Sequence, residues 1–314
     1  MKVLVLAGGP DAEHDVSLAS ARAVAEALAP RHDVELFEFR TIDAATLGDL
    51  AGDVVFPILH GPWGEGGPMQ ELLERDGRPY LGSRPRAARF AMDKLATKRA
   101  VVDVASPVAG PLNAAVPPEL PCVIKPNGEG SSVGLFVVRT LDDWHAALTK
   151  IDRDETAGRS WMFEAFLPGP ELTVPLFDRG SGLEPLPVVR IDPAAGTYDY
   201  AAKYERSDTR YTVDPPLGSS VTDTLASSAL AVARAVGVRH LARVDFMLDS
   251  AGMPSLLEIN TMPGFTATSL LPMSAAAVGL SMPDLADHLA GLVLADNDAP
   301  GPPRPHGVSS AHEA

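Results

Sequence analysis

The segment VIKPNGEGSSVGLFVV, at residues 123–138, gives the strongest indication of the fold. Its apolar ends predict two short strands, and the glycines and serines between them predict a connecting loop. Backbone N–H groups and hydroxyls of such a loop can surround phosphates while Lys125 neutralises their charge. The segment is not a P-loop, because no Lys-Ser or Lys-Thr pair closes the glycine run and a strand follows. A flexible hairpin with a surface lysine remains the alternative for this segment alone.

A second strand pair is predicted downstream, in RVDFMLDSAGMPSLLEIN at residues 243–260. If the turn is centred between Ala251 and Gly252, Asp245 lies directly opposite Glu258 in an antiparallel hairpin. Two like charges in direct opposition destabilise a hairpin unless a cation lies between them. A bulge near the turn would shift this register.

The same hairpin predicts a metal site. Asn260 lies two residues beyond Glu258 and therefore shares its face, as Arg243 shares the face of Asp245. Two carboxylates and an amide oxygen are hard ligands suited to Mg²⁺. A polar face exposed to solvent is the alternative interpretation.

A third motif, MFEAFLPGPE at residues 162–171, is a strand that ends in a Pro-Gly-Pro bend between Glu164 and Glu171. Backbone groups at such a bend can pair with a purine edge, and a carboxylate can accept hydrogen bonds from ribose hydroxyls. Taken alone, the segment is equally typical of an ordinary strand exit.

The N-terminal part predicts a doubly wound sheet. KVLVLAGG, at residues 2–9, reads as a buried parallel strand, and strands alternate with helices to about Ser83. Glu13 and His60 follow strand ends, where ligands collect in such sheets. No GxGxxG motif is present, so a dinucleotide site is not supported, and a lone Glu or His is more often a cap or surface residue.

Three helices and a tail complete the prediction. Ser17 is the expected N-cap of a helix over residues 18–29, residues 84–104 are helical in pattern, and a last helix covers residues 282–294. The Pro/Gly/Ser-rich tail, residues 296–314, is expected to be disordered.

Composition limits the function classes. The 314 residues include 26 basic and 41 acidic side chains, for a net charge of −15. So acidic a chain argues against nucleic acid or an anionic membrane as the main partner. The single cysteine, Cys122, excludes an intrachain disulfide and a cysteine-based metal site. Without a recognisable signal peptide or an apolar run of about 18 residues, a cytoplasmic protein is expected.

In their order along the chain, the motifs resemble the D-alanine–D-alanine ligases of the ATP-grasp superfamily, from Met1 to about Leu294. The matching motifs are AGG at 7–9, EHDVS at 13–17, HG at 60–61, GE at 64–65, YLGS at 80–83, MDK at 92–94, KP at 125–126, EGSSVG at 129–134, GPE at 169–171, YDYAAKY at 198–204, RVD at 243–245, EINT at 258–261, PGFT at 263–266 and SL at 269–270. Each motif alone is weak, whereas the ordered set is specific.

The resemblance implies an α/β fold, in which an N-terminal doubly wound (Rossmann-like) domain precedes a two-lobed ATP-grasp fold. The implied divisions are residues 1–83 for the substrate domain, 84–160 and 161–295 for the central and C-terminal ATP-grasp lobes, and 296–314 for the tail.

The resemblance also implies a site for ATP and two Mg²⁺ (or Mn²⁺). Lys94 and Lys125 would hold phosphates, Lys203 would approach the γ-phosphate, and Glu171 would bind the ribose. Glu164 and the backbone at residues 165–167 would bind adenine. The remaining implied nucleotide contacts are Ser131, Ser132, Ala165, Phe166, Leu167, Met247 and Leu257, and the implied metal ligands are Asp245, Glu258 and Asn260.

The implied reaction joins two D-alanines through an acylphosphate, for peptidoglycan precursor synthesis, in an enzyme implied to be a homodimer. Glu13 and His60 are implied to bind the first D-alanine, and Ser269 and the N–H of Leu270 the second. Arg243 and the N–H of Gly264 are implied to stabilise the oxyanion. Ser131 and Tyr204 are implied to link the mobile loops when they close.

The sequence departs from the family pattern in three places. Gly66 stands where aspartate is common, Ala165 stands where lysine often follows the hinge glutamate, and the stretch from Lys94 to Lys125 is short. The pair Lys203-Tyr204 favours dipeptide over depsipeptide formation. The rival hypotheses are an ATP-grasp ligase for a related D-amino or hydroxy acid, a nicotinamide oxidoreductase, and a non-catalytic nucleotide-binding protein.

Overall fold

The computed structural model describes residues 1–153, 158–194, 208–249 and 251–298. The helices described are α1 (His14–Leu28), α2 (Ala44–Asp49), α3 (Gly61–Gly64), α4 (Pro68–Asp76), α5 (Pro85–Met92), α6 (Lys94–Ala100), α7 (Leu141–Asp152), α8 (Ser219–Val236), α9 (Leu270–Ala277) and α10 (Met282–Asp298). The strands are β1 (Lys2–Gly8), β2 (Asp33–Phe39), β3 (Val54–Ile58), β4 (Ala109–Pro111), β5 (Cys122–Pro126), β6 (Phe136–Val138), β7 (Trp161–Ala165), β8 (Glu171–Asp178), β9 (Leu183–Pro185), β10 (Val189–Asp192), β11 (Arg210–Val213), β12 (Leu241–Leu248) and β13 (Pro254–Asn260).

The N-terminal sheet is parallel, with strand order β2-β1-β3. Val3 and Val5 of β1 pack into a core with α1 and α10, whereas Leu4 and Leu6 pack into a second core with α4. The apolar run of β1 is continuous because helices cover both faces of the strand. The predicted doubly wound arrangement is thus present.

Helix α1 begins four residues earlier than the sequence predicted, and Glu13 occupies its N-cap position. Ser17 is therefore not the N-cap but lies fully buried inside the helix. Its hydroxyl donates a 2.5 Å hydrogen bond to the Ile58 carbonyl and accepts a 2.8 Å one from the Gly8 N–H. Ser17 instead connects the ends of β1 and β3. In the sequence, a serine with this tertiary role looks the same as a serine at an N-cap.

The predicted helix over residues 84–104 is two helices, α5 and α6, that are separated at Asp93. The Asp93 carboxylate accepts hydrogen bonds from the Ala96 N–H at 2.9 Å and from the Asn127 side chain at 2.8 Å. A new N-terminus therefore forms at Lys94, whose N–H donates to the Asn127 carbonyl at 3.2 Å. This break places Lys94 against the glycine-rich loop.

The central sheet is antiparallel, with order β4-β7-β5-β6, and α7 covers one of its faces. Strands β5 and β6 form the predicted hairpin, and the glycine-rich loop, residues 127–135, connects them. The third sheet has the order β11-β10-β8-β12-β13, with β9 beside β8 and α8 packed against one face. Among the described residues, no helix is long and apolar enough to cross a membrane.

The last helix, α10, extends to Asp298, four residues beyond the predicted end. Asp296 belongs to this helix and contacts His240, so the expected disorder does not begin at residue 296. Residues 299–314 lie outside the described part of the chain. His240 accepts a 3.1 Å hydrogen bond from the Gly82 N–H through Nδ1, and its Nε2 lies 2.8 Å from the Asp296 carboxylate. His240, directly before β12, thereby connects the segment between α4 and α5 to α10.

We expect His240→Asn to make the stability of the protein less sensitive to acid. Burial lowers the pKa of His240 from 6.5 to about 4, so the unfolded chain binds the additional proton as the pH falls between these values. The free energy of unfolding should therefore decrease from pH 6.5 to pH 4, by up to about 3 kcal/mol from this group. Asparagine suits the left-handed backbone at this position, where φ is 65°.

Urea unfolding at several pH values measures this effect. The exposed His145→Asn on α7 is the matched control and should retain the native pH dependence. An unchanged acid slope in His240→Asn would contradict the prediction.

Candidate active site

Asp245 lies directly opposite Glu258 in the hairpin formed by β12 and β13. This is the pair that a turn centred between Ala251 and Gly252 predicted. The pairs nearest the turn are, however, centred on Ala251 rather than half a residue later. A β-bulge at Leu257 adds one residue to β13 and restores the predicted pair. The shifted turn centre and the bulge therefore compensate for each other at the Asp245–Glu258 pair.

The bulge also changes which side chains face the same way. Phe246 pairs with Leu256, and the next pair joins Asp245 to Glu258, so Leu257 has no partner in the ladder. Leu257 and Glu258 consequently line the same cavity although they are adjacent in sequence. A regular strand would place them on opposite faces.

Each of the two opposed carboxylates has its own cation. The Arg243 guanidinium donates to both oxygens of Asp245, at 2.9 and 2.8 Å, and the Thr173 hydroxyl donates to Asp245 Oδ1 at 2.5 Å. Lys94 Nζ lies 3.1 Å from Glu258 Oε2. These contacts explain how two like charges are tolerated in direct opposition, with Asp245 almost fully buried.

The donor set at this position fits a divalent cation that prefers oxygen. Asp245 and Glu258 supply carboxylate oxygens, and Asn260, on the same strand, supplies an amide oxygen that accepts a 2.9 Å hydrogen bond from the Met262 N–H. Within the described residues, no group of three His, Cys, Asp or Glu side chains could hold a metal ion. The amide of Asn260 would therefore be needed to complete a three-residue set.

A cavity of about 410 Å³ opens beside the hairpin, between the central and third sheets. Its volume is in the range of small-ligand sites. It is lined by ten of the residues that the resemblance implied for the nucleotide: Lys94, Lys125, Ser132, Glu164, Ala165, Phe166, Leu167, Glu171, Met247 and Leu257. Asp245 and Glu258 line it as well. Residues from four separate sequence motifs therefore meet in one cavity.

A buried charge cluster forms one wall of this cavity. Lys125 Nζ donates to Glu164 Oε1 at 2.5 Å, and Lys98 Nζ lies 3.4 Å from Glu164 Oε2. Burial works against the charge of Lys125, but Glu164 and Glu258 outweigh it and raise the pKa of Lys125. Burial likewise opposes ionisation of Glu164, and Lys125 and Lys98 outweigh it and lower the pKa of Glu164.

Sequence reasoning missed Lys98. Its side chain is buried on α6, and burial lowers its pKa to about 8 even though Glu164 favours the charged form. The one available signal was its position four residues after Lys94, which places the two lysines on the same helical face.

The glycine-rich loop reaches the N-terminal sheet. The Ser131 hydroxyl donates a short hydrogen bond to the Glu13 carboxylate, 118 residues away in sequence. Both Glu13 and Ser131 are buried. Ser131 is not among the residues that line the cavity, and its implied roles in nucleotide binding and loop closure stay predictions.

The same loop is anchored on its other side. Arg159 donates to the two Glu129 oxygens at 2.5 and 2.9 Å, and Lys94 Nζ donates to the Glu129 carbonyl at 2.5 Å. These bidentate and backbone contacts hold the loop over Lys94.

His60 is buried near a second acidic residue, Glu65, which the sequence analysis assigned no role. His60 Nδ1 lies 4.0 Å from Glu65 Oε1, and Glu65 accepts hydrogen bonds from the N–H groups of Gly61 at 3.3 Å and Met262 at 3.2 Å. Burial lowers the pKa of His60 to about 4, so the imidazole is neutral at pH 7. Burial, together with the charge of Glu13, raises the pKa of Glu65 well above its usual value.

Gly66, a departure from the family pattern, has a steric reason. A Cβ atom at this position would lie 2.3 Å from the Pro62 carbonyl oxygen. Because real Cβ atoms do not come this close to backbone, aspartate would require the backbone of α3 at Pro62 to move. The backbone at Gly66 and the Pro62 carbonyl are therefore too close together for a side chain at position 66.

The segment implied for the second substrate precedes α9. Ser269 occupies the N-cap position of α9, and its Oγ accepts a 3.0 Å hydrogen bond from the Thr266 N–H. Leu270 is the first residue of the helix, so the α9 hydrogen-bond ladder supplies no acceptor for its N–H. A Cβ at Gly264 would lie 2.8 Å from Ser269 Oγ, so a larger residue there would displace the Ser269 hydroxyl. Lys203 and Tyr204 lie outside the described residues.

Three comparisons with known proteins agree with this geometry. Residues 112–290 match the family model described as D-ala D-ala ligase C-terminus. The chain is 41% identical over 296 residues to a D-alanine--D-alanine ligase of Cupriavidus necator, which covers 90% of this chain and 89% of the relative. A solved structure of D-alanine--D-alanine ligase from Bacillus anthracis superposes with a TM-score of 0.82 at 29% identity, covering 95% of this chain and 99% of that one.

The chain belongs to the D-alanine–D-alanine ligase family. The family resemblance inferred from the ordered motifs is therefore confirmed. The ATP-grasp fold, preceded in the chain by a doubly wound N-terminal domain, is confirmed as well. A Bacillus anthracis structure complexed with ATP also matches, with a TM-score of 0.78 at 29% identity and coverage of 95% of this chain and 98% of that one. The residue ranges assigned to the domains stay predictions.

Proposed function

We propose that this chain is an ATP-dependent ligase that joins two D-alanines into D-alanyl-D-alanine for peptidoglycan precursor synthesis. The family assignment supports this activity over nearly the whole chain. The observation that carries the proposal is a single cavity lined by Lys94, Lys125 and the opposed carboxylates of Asp245 and Glu258. Phosphoryl transfer requires positioning and charge neutralisation, and this arrangement supplies both.

In the proposed nucleotide complex, Lys94 and Lys125 hold the phosphates and Glu171 holds the ribose. Glu164 and the backbone of residues 165–167 bind adenine. The position of these residues supports this role, since Glu164 and residues 165–167 line the cavity next to Lys125. The departure at Ala165 leaves the adenine contact there to backbone atoms.

The proposed metal ligands are Asp245, Glu258 and Asn260. Two Mg²⁺ or Mn²⁺ ions bound there would neutralise phosphate charge. Arg243, already bonded to Asp245, orients one of these carboxylates.

The proposed reaction has two steps. A carboxylate oxygen of the first D-alanine attacks the γ-phosphorus of ATP, so an acylphosphate forms and ADP leaves. The amine of the second D-alanine then attacks the acyl carbon, phosphate leaves, and the amine loses a proton. Arg243 and the N–H of Gly264 stabilise the oxyanion in the second step.

The substrate roles follow from position. Glu13 would bind the ammonium group of the first D-alanine beside the neutral His60. Ser269 and the N–H of Leu270 would bind the carboxylate of the second. The Ser131–Glu13 hydrogen bond supports a role for the glycine-rich loop in excluding water from the acylphosphate. Lys203 and Tyr204 retain their implied roles as proposals.

A substrate panel tests the proposed function. We expect release of ADP to depend on D-alanine and Mg²⁺, with lower rates for D-lactate and other D-amino acids. Absence of ADP release with D-alanine would overturn the proposal. Turnover only with another D-amino or hydroxy acid would favour a related ligase, and no turnover despite ATP binding would favour a non-catalytic nucleotide-binding protein.

We also propose a cytoplasmic location and a homodimer. The single cysteine, Cys122, is buried and free, which supports a reducing compartment. The homodimer is supported by the family resemblance alone. Light scattering of the purified chain measures the oligomeric state directly, and a monomer at micromolar concentration would contradict the dimer.

A further inference from the structure

Lys98 has no assigned role in the proposed function, yet it is a buried lysine next to the nucleotide cavity. About one-twentieth of its side-chain surface is exposed. Lys98 is not among the residues that line the cavity. Lysine is almost never buried to this extent without partners. The partners of Lys98 therefore indicate its purpose.

The first partner is the backbone at the β-bulge. Lys98 Nζ donates a short hydrogen bond to the carbonyl of Leu256. Leu256 immediately precedes Leu257, the extra residue of the bulge, and Glu258 follows. Lys98 thus connects α6 to the point where β13 changes its register.

The second partner is Glu164. Lys98 Nζ lies 3.4 Å from Oε2, while Lys125 binds Oε1 at 2.5 Å. Oε2 is buried, and among the described residues Lys98 forms an ion pair with it although no regular hydrogen bond forms. The Lys98 charge therefore holds one oxygen of a carboxylate whose residue lines the cavity, while Lys125 holds the other.

We infer that Lys98 is a positioning residue for the nucleotide. It fixes the Glu164 carboxylate, and it fixes the bulge that makes the side chains of Leu257 and Glu258 face the same cavity. This inference rests on the proposed function, in which Glu164 and Leu257 contact the nucleotide. Lys98 acts through these residues and does not touch the nucleotide itself.

Lys98→Met tests the inference, because it keeps the length of the side chain and removes its charge and its hydrogen-bond donor. We expect the KM for ATP to rise about tenfold or more, with the KM for D-alanine changed less than about twofold. Titration calorimetry with ADP and Mg²⁺ should show a parallel loss of nucleotide affinity. A general structural defect would affect both substrates.

The matched control is Arg99→Met, which removes the neighbouring, exposed cation of α6 and should leave both KM values unchanged. Lys98→Arg, which keeps the charge, should recover part of the nucleotide affinity. If Lys98→Met does not fold, Lys98→Gln replaces it in the same comparison. Native nucleotide affinity in the folded variant, or equal increases in both KM values, would overturn the inference.

A double variant tests the route through Glu164. Combining Lys98→Met with Glu164→Gln should weaken ADP binding by less than the product of the two single effects, since the two side chains act as one unit. Fully multiplicative effects would contradict that route. The ADP titrations need no turnover, so they test Lys98 even if the native chain fails to use D-alanine.

Discussion

Glu258→Ala is expected to reduce kcat about a hundredfold or more, since groups that stabilise transition-state charge typically contribute roughly 3 kcal/mol. Glu258 stands opposite Asp245 at the proposed metal site and is paired with Lys94 at 3.1 Å. The substitution removes a proposed metal ligand and leaves the Lys94 ammonium without its carboxylate. Steady-state ADP release, measured over a range of Mg²⁺ concentrations, should show both a lower kcat and a higher Mg²⁺ requirement.

The exposed Glu119→Ala is the matched control for charge, and its kcat should equal that of the native chain. Thermal unfolding of Glu258→Ala should remain cooperative, because Glu258 is only partly buried. A native kcat at saturating Mg²⁺ would remove Glu258 from the metal site.

Arg243→Ala is expected to reduce kcat by a similar factor, about a hundredfold or more, and also to destabilise the fold. The guanidinium donates to both oxygens of Asp245, which is almost fully buried. Its removal leaves a buried carboxylate for which, in the described part of the chain, Thr173 is the remaining side-chain donor. Breaking a buried ion pair in this way costs about 3–5 kcal/mol of folding free energy.

Two further variants separate the catalytic effect from the structural one. Arg243→Lys keeps the charge but lacks the planar fork that binds Asp245 in a bidentate manner, so it should recover stability better than kcat. The exposed Arg86→Ala on α5 should behave like the native chain. If Arg243→Lys restored kcat completely, the bidentate geometry would have no catalytic role.

Local patterns predicted the main elements because their signals are short in range. The apolar run of β1 and the glycines that end it identified a buried strand, and the assumed turn centre between Ala251 and Gly252 placed Asp245 opposite Glu258. The prediction of that pair was correct even though the turn centre was not, since the bulge at Leu257 compensated for it.

Errors arose where a local signal served a distant contact. Ser17 looked like a helix cap but bonds to Ile58 and Gly8, and the break at Asp93 depends partly on Asn127. All three partners lie outside the local helix, so helix propensity alone had no means of detecting these contacts.

The sequence by itself determined the family, the main strands and helices that carry the motifs, and the types of side chain available for phosphate and metal chemistry. Only the tertiary structure decided that Lys98 supports Glu164, that Glu13 meets Ser131, and that adjacent Leu257 and Glu258 face one cavity. The physical reason is that periodicity encodes which face of an element is apolar. Pairing between buried charges depends instead on which distant elements the packed core brings within a few ångströms.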